Sequence, residues 1–411
     1  MSLTSGLSVL AVAGALGLAS AVSLGLARFA YALLLPAMRT DLGWSYLTAG
    51  ALNTANAAGY LLGALLLPRL LRRFDARGVM LAGAAGTSLL LAAHGVVLGN
   101  DALFVLRALA GAASAASFVA GGLLAARLAS GAAMPTVPAV PSGPAAPSPN
   151  PRSAGLVLGI YYGGTGLGII VSALLVPALT ARPVAHAWQA AWLALALAAL
   201  LATGVMAWMT RHLTAAPNPS AARVRFAWSR FAFGLAGYLM FGLGYIGYMT
   251  FIITLLREQR VADAQIVAFY IVLGVAVMAS SWLWAGLLQR CRGGGALALL
   301  NALLALATLL PVLSAHPVVV FGSGALFGAV FLSVVASTTA LVRHNLPATA
   351  WAGGIGAFTI VFAAGQIVGP SLVGWVADGP GGLARGFVCS AGLLALGSLL
   401  AWRQKPLPAS G

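Results

Sequence analysis

Two arginines, Arg28 and Arg107, stand well inside long apolar stretches that contain no acidic residue. The six carboxylates, Asp41, Asp75, Asp101, Glu258, Asp263 and Asp378, fall between such stretches or at their ends. An ionised guanidinium costs from about 2.5 to more than 10 kcal/mol at the centre of a bilayer, so it normally faces a cavity or a partner. With no buried acid to neutralise them, two such cations invite an anion, and the guanidinium fork fits a carboxylate, phosphonate or sulfonate in bidentate fashion. A structural reading competes: Arg107 reaches back to Asp101 or Asp41, and Arg28 bonds backbone carbonyls.

Further polar groups could complete an anion site. Asn53, Asn56 and Tyr60 stand at i, i+3 and i+7 on one helical face, and Tyr238, Tyr245 and Tyr248 share another. With Tyr31 beside Arg28 and Gln366 in a late stretch, the substrate-binding candidates are Arg28, Tyr31, Asn53, Asn56, Tyr60, Arg107, Tyr245, Tyr248 and Gln366. Bonding between helices explains the asparagines equally well, and an aromatic stripe is ordinarily packing. Thr359 is a weaker candidate. His94, His316 and His344 lie near the ends of apolar stretches, and Cys291 and Cys389 have no metal-ligand neighbour. No metal, cofactor or disulfide is expected.

The same inventory weighs against other classes. A membrane-embedded enzyme needs a nucleophile with its base, a carboxylate pair or a metal cluster, and here the acids are confined to loops. An ATP-driven pump needs a phosphate-cradling glycine loop with its lysine, and Lys405 at the tail is the only lysine.

The elements that must position these residues are twelve stretches long enough to cross a bilayer, which takes about 20 mostly apolar residues in a helix. They run near 7–37, 46–68, 78–98, 102–126, 154–180, 187–210, 230–256, 264–288, 294–314, 317–342, 352–376 and 385–402. The chain is 61% hydrophobic and 7% charged, against roughly 25% charged in a soluble domain. That excludes a water-soluble core of this size. The first stretch has no basic n-region and is too long for a cleaved leader, so it reads as a retained span.

Lys and Arg are held on the cytoplasmic side of membrane proteins. With both termini inside, the inner segments collect Arg69, Arg72, Arg73, Arg77, Arg127, Arg152, Arg211, Arg223, Arg225, Arg230, Arg290, Arg292, Arg343, Arg403 and Lys405, while five of the six acids fall outside. An odd number of spans would scramble this partition. The net charge of +16 is spread over thin loops, which fits topology and anionic lipid headgroups better than nucleic acid.

Weak internal repetition divides the chain. Gly63 and Gly286 each lead into a basic loop, and Gly164 with Gly168 corresponds to Gly365 with Gly369. The plan is two six-helix bundles, residues 1–210 and 230–411, joined by an inner segment at 211–229. An insertion at 130–152 carries Pro135, Pro138, Pro141, Pro144 and Pro147 at the three-residue period of polyproline II. It reads as a solvated tether or as a docking site for a partner.

Specific motifs then carry a family resemblance. Arg107, Gly111 and Ala115 form R-x-x-x-G-x-x-x-A, which resembles the fourth-helix motif of the major facilitator superfamily. Gly365-Gln-Ile-Val-Gly369-Pro370, followed by Gly374 and Asp378, is similar to its eleventh helix. Gly25-Leu-Ala-Arg28-Phe29-Ala-Tyr31 with Leu35-Pro36, and Gly244-Tyr245-Ile-Gly-Tyr248-Met-Thr250-Phe251, resemble the YbfB/YjiJ-type branch. The resemblance implies an all-α membrane protein of two pseudo-symmetric six-helix bundles (the major facilitator fold), with Arg28 and Arg107 at similar height around a central cavity.

Two departures stand out. The aspartate of the loop after the second helix is displaced to Asp75, which leaves its gating contact open, and the fifth span has Gly159, Gly163, Gly164, Gly166 and Gly168 without the proline of the antiporter signature.

The expected function is secondary transport of a small organic solute, an anion such as a carboxylate, by a monomer in a bacterial cytoplasmic membrane. A proton is a candidate coupling ion. The alternative is a proton-coupled exporter of amphipathic compounds, in which the aromatic faces matter more than the arginines. A reporter fused at residue 145 is expected to register a cytoplasmic location; a periplasmic signal would contradict the inferred orientation.

Overall fold

The computed structural model describes residues 9–130, 151–213 and 226–407. The proline-rich stretch and most of the central segment, both singled out above, lie outside the described residues. Twelve helices among those described are long and apolar enough to cross a membrane. In chain order they are α1 Val9–Leu42, α2 Tyr46–Arg73, α3 Ala76–His94, α4 Asn100–Ala129, α5 Pro151–Thr180, α6 Ala187–Met209, α7 Ala232–Glu258, α8 Asp263–Arg290, α9 Gly295–Leu313, α10 Pro317–Asn345, α11 Trp351–Ala377 and α12 Gly382–Trp402. Large apolar side chains such as Leu89, Leu174, Leu201, Trp375 and Leu399 are exposed on their outer surfaces, an arrangement that suits lipid and not water.

The ends follow from local chemistry. Helix α2 starts where Ser45 accepts the Thr48 amide at 3.0 Å, and α3 where Asp75 accepts the Gly78 amide at 2.8 Å; both are side-chain caps for amides with no partner inside the helix. The displaced Asp75 therefore caps its own helix. Helix α1 runs to Leu42, beyond the expected end near 37, because Pro36 is accommodated within it and the stop comes only at Gly43, whose φ of 64° supplies the left-handed cap.

Packing repeats between the halves. The pairs α2/α4, α3/α4, α3/α6 and α1/α5 have counterparts in α8/α10, α9/α10, α9/α12 and α7/α11. The halves meet chiefly along α2/α11, α5/α8 and α1/α7. Close approach needs small residues: a Cβ on Gly164 of α5 would lie 1.9 Å from the Gly17 carbonyl oxygen of α1, whereas one on Gly14 would meet nothing within 4 Å.

Outer and inner below refer to the orientation expected from the basic residues. At the outer face the halves are joined directly. The Asp378 carboxylate at the end of α11 accepts the amides of Tyr46 and Leu47, each at 2.8 Å, capping α2 of the opposite half. The Tyr46 hydroxyl bonds Glu258 of α7, and the Arg39 guanidinium lies 3.8 Å from the centre of the Tyr46 ring. Deeper in, Thr54 donates to the Ile367 carbonyl at 2.6 Å.

Gly164→Leu is expected to cost about 1–3 kcal/mol through overpacking, seen as a lower unfolding temperature in detergent, while Gly14→Ala leaves stability unchanged. Equal effects of the two changes would contradict the α1/α5 contact.

Candidate functional site

Arg28 belongs to a nine-residue π-helical segment, Ala21–Phe29, in the middle of α1. Here Gly25 is pressed onto Gly168 of α5, so closely that a Cβ would fall 2.5 Å from the Gly168 Cα, and Ser20 bonds Thr165 at 2.7 Å. The wider π turn re-routes the backbone ladder, with the Ala30 amide reaching back to the Gly25 carbonyl at 3.0 Å. Such turns recur at functional sites. Side chains from elsewhere take two of the carbonyls: Arg107 of α4 donates to Ala27 at 2.8 Å, and Tyr270 of α8, in the other half, donates to Phe29 at 2.7 Å. Three helices thus fix the backbone that presents Arg28.

The Arg28 side chain is itself almost fully buried, at 4% exposure, and its Nε and Nη2 have no acceptor. No carboxylate among the described residues lies within ion-pair distance of it; the ion pairs found there are His186 with Asp41 and Arg257 with Asp263. Its guanidinium carbon lies 5.8 Å from the centre of the Tyr60 ring. In the other half Gln366 donates to the Tyr245 hydroxyl, and Phe331 of α10 packs on both the Phe29 ring, at 5.6 Å, and the Tyr245 ring, at 6.1 Å. Arg28 with Tyr60, from α1 and α2, and Tyr245 with Gln366, from α7 and α11, are thus linked through the Phe29 and Phe331 rings.

Arg107 stands in a second cluster. Besides Ala27, it donates to Asn53 Oδ1 at 3.3 Å, and its guanidinium lies 4.8 Å from the Tyr31 ring centre and 5.7 Å from that of Trp192. Asn53 passes the contact on, its amide donating to Thr250 of α7 at 2.8 Å. Asn56 donates to the Arg107 carbonyl at 3.1 Å, and the Tyr31 hydroxyl donates to the Ala49 carbonyl at 2.9 Å. Neither Asp41 nor Asp101 holds Arg107: Asp41 accepts His186 and Trp188 instead, at 2.5 and 2.6 Å. Tyr248 packs within the second half, stacked 3.9 Å from Phe327 and bonded to Ser323 at 2.8 Å.

Sequence reasoning did not single out Tyr270, Thr250 or Trp192. A lone tyrosine in an apolar span gives no sign that it will find a π-turn carbonyl in another helix. Thr250 stood in a quoted motif, but its bond to Asn53 needs the packing of α2 on α7.

The two arginines are expected to behave oppositely when removed. Arg107→Leu leaves the Ala27 carbonyl and the Asn53 side chain without their donor and should lower stability by about 1–3 kcal/mol. Arg28→Leu removes a buried charge with two unpaired nitrogens and no counter-ion among the described residues and should leave the ligand-free protein as stable or more so. Thermal unfolding of both variants in detergent checks this, and the reverse ranking would contradict the geometry.

The model of the family described as uncharacterised MFS-type transporter YbfB matches residues 20–146 and 147–402. No curated protein matches in sequence. The solved structure of the nucleoside transporter NupG is similar with a TM-score of 0.69 at 13% identity, covering 97% of this chain and 100% of that chain. A bacterial homologue of the human lysosomal transporter Spinster, inward-facing and unoccupied, is similar with a TM-score of 0.68 at 13% identity, covering 95% of each chain. At that identity the likeness shows the fold alone, and the fold is the one read from α1 to α12. The chain thus belongs to the YbfB-type family of major facilitator transporters and is a multi-pass membrane carrier, not an enzyme.

Proposed function

We propose that this carrier moves a small organic anion, such as a carboxylate, across a bacterial cytoplasmic membrane by alternating access, with Arg28 as the anion contact. The observation that carries this reading is the buried Arg28 guanidinium, with two nitrogens lacking any acceptor, next to the Phe29 carbonyl that Tyr270 of the other half holds. A carboxylate would supply the missing acceptors and charge, and charge-assisted bonds are the strong ones in such surroundings. Tyr60, Tyr245 and Gln366 are the polar groups near enough to complete recognition. Arg107, Tyr31, Asn53 and Asn56 brace the π segment, and Tyr248 supports the wall behind Tyr245. The moving bodies are residues 1–210 and 230–411, both termini are cytoplasmic, and the unit is a monomer in contact with membrane lipid and not with nucleic acid.

A second reading has its own support. Tyr245 stacks with Phe241, Phe362 and Phe331 at centroid separations of 4.6, 5.7 and 6.1 Å. If these rings part during the cycle, they offer an amphipathic compound an apolar face, and the carrier is then a proton-coupled exporter.

Uptake of labelled succinate, benzoate and uridine into proteoliposomes, with and without a pH gradient, separates the readings. Carboxylate flux is expected, with Arg28→Ala abolishing it and Arg28→Lys weakening it by loss of the fork; truncating a buried charge contact costs about 2–5 kcal/mol. Normal carboxylate flux through Arg28→Ala would refute the assignment and favour the exporter.

A further inference from the structure

A cavity of about 510 Å³ opens at the outer seam between the halves, lined by the ends of α1, α5 and α7 and the start of α6. Three guanidiniums, Arg39, Arg182 and Arg257, share its walls with two carboxylates, Asp41 and Glu258, and with His186. The carboxylates are already engaged by other groups. Asp41 accepts both His186 and the Trp188 indole, and Glu258 accepts the Tyr46 hydroxyl from the other half. The guanidiniums are much less satisfied. Arg257 has only a loose pair with Asp263 at 3.7 Å, Arg39 lies over the Tyr46 ring, and the Nε of each is buried without an acceptor. The cavity is also held in shape at a cost. His186 takes a left-handed backbone, φ 55°, that non-glycine residues rarely adopt, and its ring is tied to Asp41 at 2.5 Å.

We propose that this vestibule is a second anion site, an outer station that holds a small carboxylate on Arg39, Arg182 and Arg257 before or after it occupies Arg28. This deepens the carboxylate reading given above and rests on it. The vestibule walls carry three cations against two carboxylates, and a concave site with an excess of one sign concentrates counter-ions and raises encounter rates, by roughly 10- to 1,000-fold where the field is strong. Its position on the α1/α7 seam means that relative movement of the halves would change its shape. A lipid phosphate has the same chemistry as a free anion, so the source of the occupant must be tested as well.

Val184 lines the cavity and is 61% exposed, so Val184→Cys reports on it once Cys291 and Cys389 are replaced by serine. Leu98→Cys, in the loop between α3 and α4 on the same face, serves as the reference. In nanodiscs of zwitterionic lipid, an anionic methanethiosulfonate should outpace a cationic one at position 184, with a rate ratio roughly tenfold above that at position 98. Arg182→Gln with Arg257→Gln should erase the difference. Succinate should slow modification at position 184, and should still do so in Arg28→Ala, which separates this site from the central one without any transport measurement. Equal ratios at the two positions, or no protection by succinate, would overturn the proposal. Protection that appears only when anionic lipid replaces zwitterionic lipid would also overturn it, by assigning the cavity to a headgroup.

Discussion

A buried cation without a counter-ion is the constraint around which the rest of the molecule is arranged. Left alone in apolar surroundings, the Arg28 guanidinium is a destabilising group, and no carboxylate among the described residues is placed to relieve it. It is kept in place by the backbone that carries it. The π segment is anchored by glycine packing against α5, by Arg107 from α4 and by Tyr270 from α8. A site that is costly when empty and relieved when filled is what ligand binding needs in order to bias a conformational equilibrium, because a ligand shifts states only through differential interaction.

The same contacts tie the site to the seam between the halves. Tyr270 and Thr250 belong to the second half, yet one holds the π turn of α1 and the other ends the chain of bonds from Arg107 through Asn53. Toward the outer face, Asp378 caps α2 from across the seam and Tyr46 reaches Glu258. A relative movement of the halves would have to break these bonds. Under the proposed function, an anion that reorganises Arg28 would act on α1, itself a seam helix held by Tyr270, so occupancy and rocking would share a physical link.

The sequence revealed the helices well and the geometry of the site only partly. Lipid forces roughly 20 apolar residues per crossing, so most helix ends fell within a few residues of the composition breaks. The end of α1 did not, because the stop is set by Gly43 and not by hydropathy. The paired arginines, the asparagines of α2 and the tyrosine of α7 could all be singled out because polar groups in apolar spans are conspicuous. Their division of labour could not. Matched depth suggested one shared site for Arg28 and Arg107, and it gave no sign that a π-turn carbonyl would take one Arg107 nitrogen while two of Arg28 stay without an acceptor. A π turn arises from how Gly25 meets Gly168 across two helices, and no local pattern announces it.

Whether Arg28 draws an anion into the site can be read from the ligand-dependent stability of the purified wild-type carrier. A ligand that binds the folded state raises stability by RT ln(1 + [L]/Kd), so unfolding temperatures can be compared across carboxylates and their uncharged amide counterparts at fixed pH and ionic strength. At least one small carboxylate is expected to raise the unfolding temperature in proportion to the logarithm of its concentration, its amide is not, and the shift is expected to vanish in Arg28→Ala. A carboxylate and its amide that stabilise equally, or a shift that survives Arg28→Ala undiminished, would contradict this role of Arg28.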